Sequence, residues 1–184
     1  MQRQISVAAL AAVAVFSLWW AYKYWKDHRF DDVIAAASRR YQLDPALVKA
    51  VIWRESGFNP GVRGRAGELG LMQVREAAAF EWAASERLAG FDPAACLDPV
   101  TNIFAGAWYL RKALARYRAA DNPASYALAD YNAGRGNVLK WETGAAATNS
   151  ATFLQRIQFP STRGYVLSIL HRAQRYRARG DFKS

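Results

Sequence analysis

Ile103, Ala107, Leu110, Leu114 and Tyr117 recur at alternating four- and three-residue intervals. That is the period of a helix with one face against a core. The two-residue alternation of a half-buried strand is nearly absent from the chain. A sheet-based fold is thereby excluded, and the folded part is predicted to be all-α, helix packed on helix. Val33, Ile34, Ala37 and Tyr41 fit one face of a second helix. Asp44 and Pro45 read as the N-cap and first position of a third, ending near Ser56 with Gly57 as its stop. The glycine-rich stretch from Asn59 to Gly70 reads as a long loop. Leu71 to about Leu88 reads as helix, and Phe91-Asp92-Pro93 and Leu97-Asp98-Pro99 as breaks. A short helix is predicted from Asn122 and Pro123 to Tyr131, stopping at Gly134. Asn137 to Phe159 is weakly patterned, and Ser161 or Thr162 is placed to cap a last helix through Tyr165, Val166, Ile169, Leu170 and Tyr176.

The N-terminus is different. Ile5 to Tyr22 is almost wholly apolar, preceded by Arg3 and followed by Lys23, Lys26 and Arg29. Its length lies at the lower edge for a spanning helix, and Trp19, Trp20, Tyr22, Tyr24 and Trp25 suit an interfacial aromatic belt. The expectation is a single transmembrane helix. Residues 1–29 then form a membrane anchor with its juxtamembrane segment, and residues 30–184 one folded domain. The rival is a signal peptide cut near Ala12-Val13-Ala14, but the apolar run continues well past that point. The greater positive charge after the segment points the other way, toward a cytoplasmic C-terminal domain.

The formal net charge is +10, with 25 Lys and Arg against 15 Asp and Glu. Such a balance suits a polyanionic partner: nucleic acid, anionic lipid or an acidic wall polymer. Nucleic acid is not expected, because the cations are spread over several helices without a base-stacking or phosphate-loop motif. One cysteine, Cys96, forbids an intrachain disulfide, and with only His28 and His171 beside it no metal site or organic cofactor is implied.

Glu55 is the residue that this composition leaves unexplained. At about 100° per residue, Leu47 falls at about 0°, Val51 at about 40°, Val48 at about 100° and Ile52 at about 140°. Glu55 falls at about 80°, inside that apolar face. A carboxylate facing a core must be paired or hold its proton. The first alternative is a structural ion pair with an Arg; the second is a general acid. Three clusters sit at helix–loop junctions: Glu55-Ser56-Gly57, Gly70-Leu71-Met72-Gln73-Val74 and Ala129-Asp130-Tyr131-Asn132-Ala133-Gly134. Gln73 and Asn132 offer amides suited to hydroxyl and acetamido groups. Tyr131 and Tyr165 offer rings suited to stacking on a sugar.

In this order the clusters resemble the catalytic domain of soluble-lytic-transglycosylase (SLT) type, which is lysozyme-like and belongs to the goose-lysozyme superfamily. The resemblance runs from about Phe30 to Tyr176. It includes Asp44-Pro45-Ala46-Leu47-Val48-Lys49-Ala50-Val51, Arg54-Glu55-Ser56-Gly57-Phe58-Asn59-Pro60 and the stretch Leu97 to Leu110. It implies a lysozyme-like fold and cleavage of the β-1,4 bond between N-acetylmuramic acid and N-acetylglucosamine in peptidoglycan. Glu55 is implied as the single acid/base, with Ser56 helping to hold it, and Met72, Gln73, Tyr131, Asn132 and Tyr165 as lining of the glycan groove. Glycosidases ordinarily use two carboxylates, but the substrate's acetamido group can replace one. Glu55 would protonate the glycosidic oxygen, then take the proton of the muramoyl C6 hydroxyl as it closes a 1,6-anhydro ring. The site would be extracytoplasmic, with the inner membrane holding the N-terminal helix and glycan strands as substrate. The basic surface is expected to suit wall carboxylates. A muramidase, or a non-catalytic peptidoglycan-binding module, is the alternative on the same groove. Two residues depart from the family pattern: Glu68 stands where a small residue is usual, and Ser161 stands where Glu is common before Thr162. Glu68 is either a loop charge or a second carboxylate that favours hydrolysis. Asp130 suggests capping or an ion pair.

Overall fold

A computed structural model describes residues 2–182, with side chains from Ala9 to Phe182. Among them are nine α-helices: α1 Gln2–His28, α2 Asp31–Tyr41, α3 Pro45–Ser56, α4 Glu76–Ser85, α5 Pro99–Arg116, α6 Pro123–Ala133, α7 Arg135–Trp141, α8 Ser150–Arg156 and α9 Pro160–Arg179. The only strand-like pairing among the described residues is two isolated bridges, Arg63 with Leu69 and Leu69 with Val74. The all-α reading therefore holds, with a small arch where the loop after α3 doubles back.

The membrane-spanning part of the reading does not hold. Among the described residues no helix is long and apolar enough to cross a membrane. The expected span, Ile5 to Tyr22, begins with side chains that lie outside the described residues. The apolar stretch of α1 gives out at Tyr22. Lys23, Lys26 and Asp27 follow within two turns, and the Trp and Tyr rings carry polar atoms. The last turn of α1 is also tied to the helical domain. Tyr176 Oη and Arg179 Nη2 donate to the Asp27 carboxylate at 2.9 and 2.7 Å, and the Arg29 guanidinium donates to the Phe58 carbonyl.

α3 is the central helix, packed on α2 and α9; α9 packs on α6, and α6 on α5. Its ends are those the sequence dictates. Asp44 accepts from the Ala46 N–H at 2.9 Å, and Gly57 closes the helix at φ +55°, with its N–H on the Trp53 carbonyl. The apolar face is wider than predicted, since Ala46 to Ile52 are all buried. Lys49, 0% exposed, is buried with them. Its ammonium lies 2.8 Å from both Asp31 and Asp181, which supplies the pairing that a buried charge requires.

Elsewhere the boundaries shift. Asp92 and Asp98, read as breaks, are N-caps each followed by a proline: Asp92 opens a short 3-10 turn and Asp98 opens α5. Leu71 to Arg75 is not helical; Gly70 at φ +71° and Gln73 at φ +48° turn the chain, and α4 begins only at Glu76. Gly70 is required there, because a Cβ would lie 2.6 Å from the Cys96 carbonyl oxygen. The weakly patterned stretch holds α7 and α8, each of seven residues, too short for periodicity to reveal. Neither Ser161 nor Thr162 caps α9, which starts at Pro160 after Phe159.

Candidate active site

The C-terminal end of α3, the arch, the start of α4 and the end of α6 enclose a groove of about 410 Å³. Glu55, Glu68, Gln73, Arg75, Tyr109, Tyr131 and Asn132 all reach its wall. α3 carries Glu55 there because Gly57 ends the helix one turn after the last buried apolar residue, Ile52. The Tyr165 hydroxyl, from α9, donates to Glu55 Oε1 at 2.5 Å. No Lys, Arg or His forms an ion pair with Glu55 among the described residues, so the structural ion-pair alternative is not what is found. Burial dominates the electrostatics of this carboxyl and lifts its pKa above the ordinary 4.5. The Tyr165 hydrogen bond and the Arg54 charge pull it part of the way back, while the Glu68 charge adds to the lift.

That direction fixes two signs. For a general acid at this position, which works only while protonated, turnover is expected to fall as pH rises through a midpoint above 4.5, read from the alkaline limb of the kcat profile. Native Glu55 also holds its proton more tightly than the unfolded chain does. Its contribution to stability is therefore complete below pH 4.5 and lost as pH rises through the folded-state pKa. Melting temperatures measured against pH should show Glu55→Gln gaining on the parent across that window.

The other predicted residues are placed as follows. Ser56 Oγ donates to the Ile52 carbonyl at 3.1 Å, not to Glu55. Met72 is 0% exposed and packs against Gly106; its backbone carbonyl accepts from Tyr131 Oη at 2.7 Å. Tyr165 is 3% exposed, so its ring has no open face for a sugar and its hydroxyl serves Glu55 instead. Tyr131 reaches the groove edge-on to Tyr109, with ring centroids 5.5 Å apart. Gln73 spends its amide N–H groups on the Val62 and Gly70 carbonyls at 3.2 and 2.8 Å, which leaves Oε1 as an acceptor. Asn132 is exposed, and its Oδ1 accepts from Thr162 Oγ1 at 2.8 Å, so its Nδ2 is left to donate. Asp130 is in an ion pair, 2.9 Å from Arg116, with the Tyr117 hydroxyl at 2.8 Å.

Two contacts that position groove residues escaped the sequence reading. Asn102, fully buried on α5, accepts from the Met72 N–H at 2.7 Å and donates to the Leu69 and Cys96 carbonyls at 2.7 and 2.6 Å. It staples the arch to α5. A polar residue beside the apolar row of α5 was the available signal. Thr162 makes the second, and takes the place of a cap with a side-chain contact. Thr162→Val is expected to raise KM about five-fold, the equivalent of about 1 kcal/mol for one hydrogen bond, with kcat changed less than two-fold. Thr162→Ser should restore it, as steady-state assays on soluble glycan chains would read.

The net positive charge of the chain does not line the groove. Four acids, Glu55, Glu68, Glu81 and Asp130, line it against one cation, Arg75. The positive charge gathers in a second cleft between α1 and α9, where Lys23, Lys26, Arg172, Arg175 and Arg179 stand. Among the described residues, the one trio of His and carboxylate groups near enough to share a cation is Asp27, His28 and Asp181, none of which lines the groove.

A family profile described as the transglycosylase SLT domain matches residues 32–154. The chain belongs to the SLT transglycosylase family. Soluble lytic murein transglycosylase of Escherichia coli K12 is 31% identical over 180 residues, covering 89% of this chain and 27% of the relative. Membrane-bound lytic murein transglycosylase C of Klebsiella pneumoniae is 37% identical over 119 residues, covering 61% and 33%. The chain thus spans about a quarter to a third of these relatives. An inactive glutamate-to-glutamine mutant of the lytic transglycosylase Slt of Pseudomonas aeruginosa superimposes with TM-score 0.73 at 25% identity, over 80% of this chain and 24% of that one. A 70-kDa soluble lytic transglycosylase in complex with bulgecin A gives TM-score 0.73 at 29% identity, over 81% and 24%. The lysozyme-like, mainly helical architecture of the SLT domain is shared by both. Tyr165 lies beyond the stretch that the profile covers, yet among the described residues it supplies the one hydrogen bond that the Glu55 carboxyl accepts.

Proposed function

We propose that this SLT domain, from about residue 30 onward, is a peptidoglycan lytic transglycosylase with Glu55 as its single acid/base. The supporting observation is a half-buried carboxyl, without an ion-pair partner among the described residues, facing a groove lined by amide and tyrosine groups. The names of the relatives, lytic murein transglycosylases, support the same class. Protonated Glu55 gives its proton to the oxygen of the β-1,4 bond between N-acetylmuramic acid and N-acetylglucosamine. The substrate acetamido group supports the positive anomeric carbon. Glu55 then accepts the C6 hydroxyl proton, and that oxygen bonds to the anomeric carbon to give a 1,6-anhydro end. The low exposure of Tyr165, whose hydroxyl donates to Oε1, keeps water from that side of the carboxyl. Gln73 Oε1 and Asn132 Nδ2 supply an acceptor and a donor for sugar hydroxyl and acetamido groups. Such a substrate places the working enzyme outside the cytoplasm. Digestion of purified sacculi tests the reading. Anhydro-muropeptides are expected; sacculus binding without any product would leave a wall-binding module instead.

A further inference from the structure

We propose that Glu68 is a second working carboxylate in this groove, and that part of the glycan cleavage therefore ends in hydrolysis. The inference rests on the transglycosylase reading above and adds an activity to it. Glu68 reaches the groove from the arch, whereas Glu55 reaches it from the end of α3. Its side chain is 17% exposed and firmly held. Oε2 accepts from the Ala66 N–H at 3.0 Å, and Oε1 accepts from Arg75 Nε at 3.2 Å, with Nη2 at 3.1 Å. Gly64 leaves the room for it. A Cβ there would collide with the Glu68 carboxylate and stand 2.9 Å from Gln73 Oε1, so the carboxylate lies alongside a group that faces the sugar.

The two carboxyls occupy opposite environments. Glu55 is half-buried, and its desolvation favours the protonated form against the pull of one Tyr165 hydrogen bond. Glu68 accepts backbone N–H groups, its own first among them, and the Arg75 guanidinium, which favour the ionised form. Two titratable groups pushed apart in this way divide the work of acid and anion. Glu55 protonates the glycosidic oxygen and the bond from the anomeric carbon breaks. The substrate acetamido group supports the positive centre as before, and the remaining lone pairs of ionised Glu68 hold a water beside it. The water oxygen bonds to the anomeric carbon, its proton passes to Glu55, and Glu68 ends as it began. One water is consumed, and a reducing end appears in place of an anhydro ring.

Digestion of sacculi in ¹⁸O-water, with immediate borohydride reduction and mass spectrometry, separates the outcomes. The parent enzyme is expected to give both anhydro ends and ¹⁸O-labelled reducing ends. Glu68→Gln should lower the labelled share about ten-fold while anhydro ends persist and report an intact site. Only anhydro ends from the parent would overturn this proposal and leave the transglycosylase reading standing. Labelled ends undiminished in Glu68→Gln would overturn it too, and no product of either kind from the parent would overturn both. If Glu68→Gln loses both products, Glu68→Asp decides, since it keeps the charge. Recovery of labelled ends supports the proposal, and their continued absence overturns it.

Discussion

Glu55→Gln is expected to cut the release of anhydro-muropeptides from sacculi by about 10²–10⁴-fold, the range a positioned proton donor contributes. The geometry should survive. A glutamine carbonyl can still accept the Tyr165 hydroxyl that now lies 2.5 Å from Oε1. The substitution also removes a group whose charged form burial penalises, so the melting temperature at neutral pH should be unchanged or higher. Activity within three-fold of the parent would remove Glu55 from the mechanism. Loss of activity with a collapsed melting temperature would mean that the carboxyl is structural. Sacculus binding, measured separately by co-sedimentation, should persist, because Gln73, Tyr131 and Asn132 are untouched.

Asn102→Ala is expected to be the most damaging change outside Glu55. It strands the Met72 N–H and the Leu69 and Cys96 carbonyls, whose side-chain partner is Asn102. Each unsatisfied buried group costs about 1–3 kcal/mol, so a loss of about 3–5 kcal/mol is expected after partial relaxation. Urea unfolding would show it as a lower midpoint with an unchanged slope. Activity at low temperature should fall as well, because Gln73 and Tyr131 are both set by the same Leu69–Gln73 turn. A variant as stable as the parent would mean that the arch has another anchor.

Much of the scaffold around Glu55 was legible because its signals are local. Asp44, Pro45 and Gly57 are capping residues that act within one turn, and they bound α3 as read. The repeat from Ile103 to Tyr117 is a periodicity carried by one helix, and α5 followed it. Leu71 to Arg75 was misread for the same reason. Its residues are good helix formers, but the hydrogen bonds of Asn102, from 30 positions further on, hold it as a turn. The apolar run of α1 was legible as apolar, but it gives way to Trp, Tyr and Lys, and among the described residues no helix is long and apolar enough to cross a membrane.

The sequence by itself determined that this chain is helical, where α3 begins and ends, and that a carboxyl stands on the apolar side of it. Tertiary structure alone decided that Tyr165, 110 positions away, would hold that carboxyl, that Lys49 would sit in the core between Asp31 and Asp181, and that a strongly basic chain would line its groove with acids. Caps and periods are set by neighbours along one helix. Burial and charge at a point in space are set by whichever helices pack there, which no single stretch of sequence encodes.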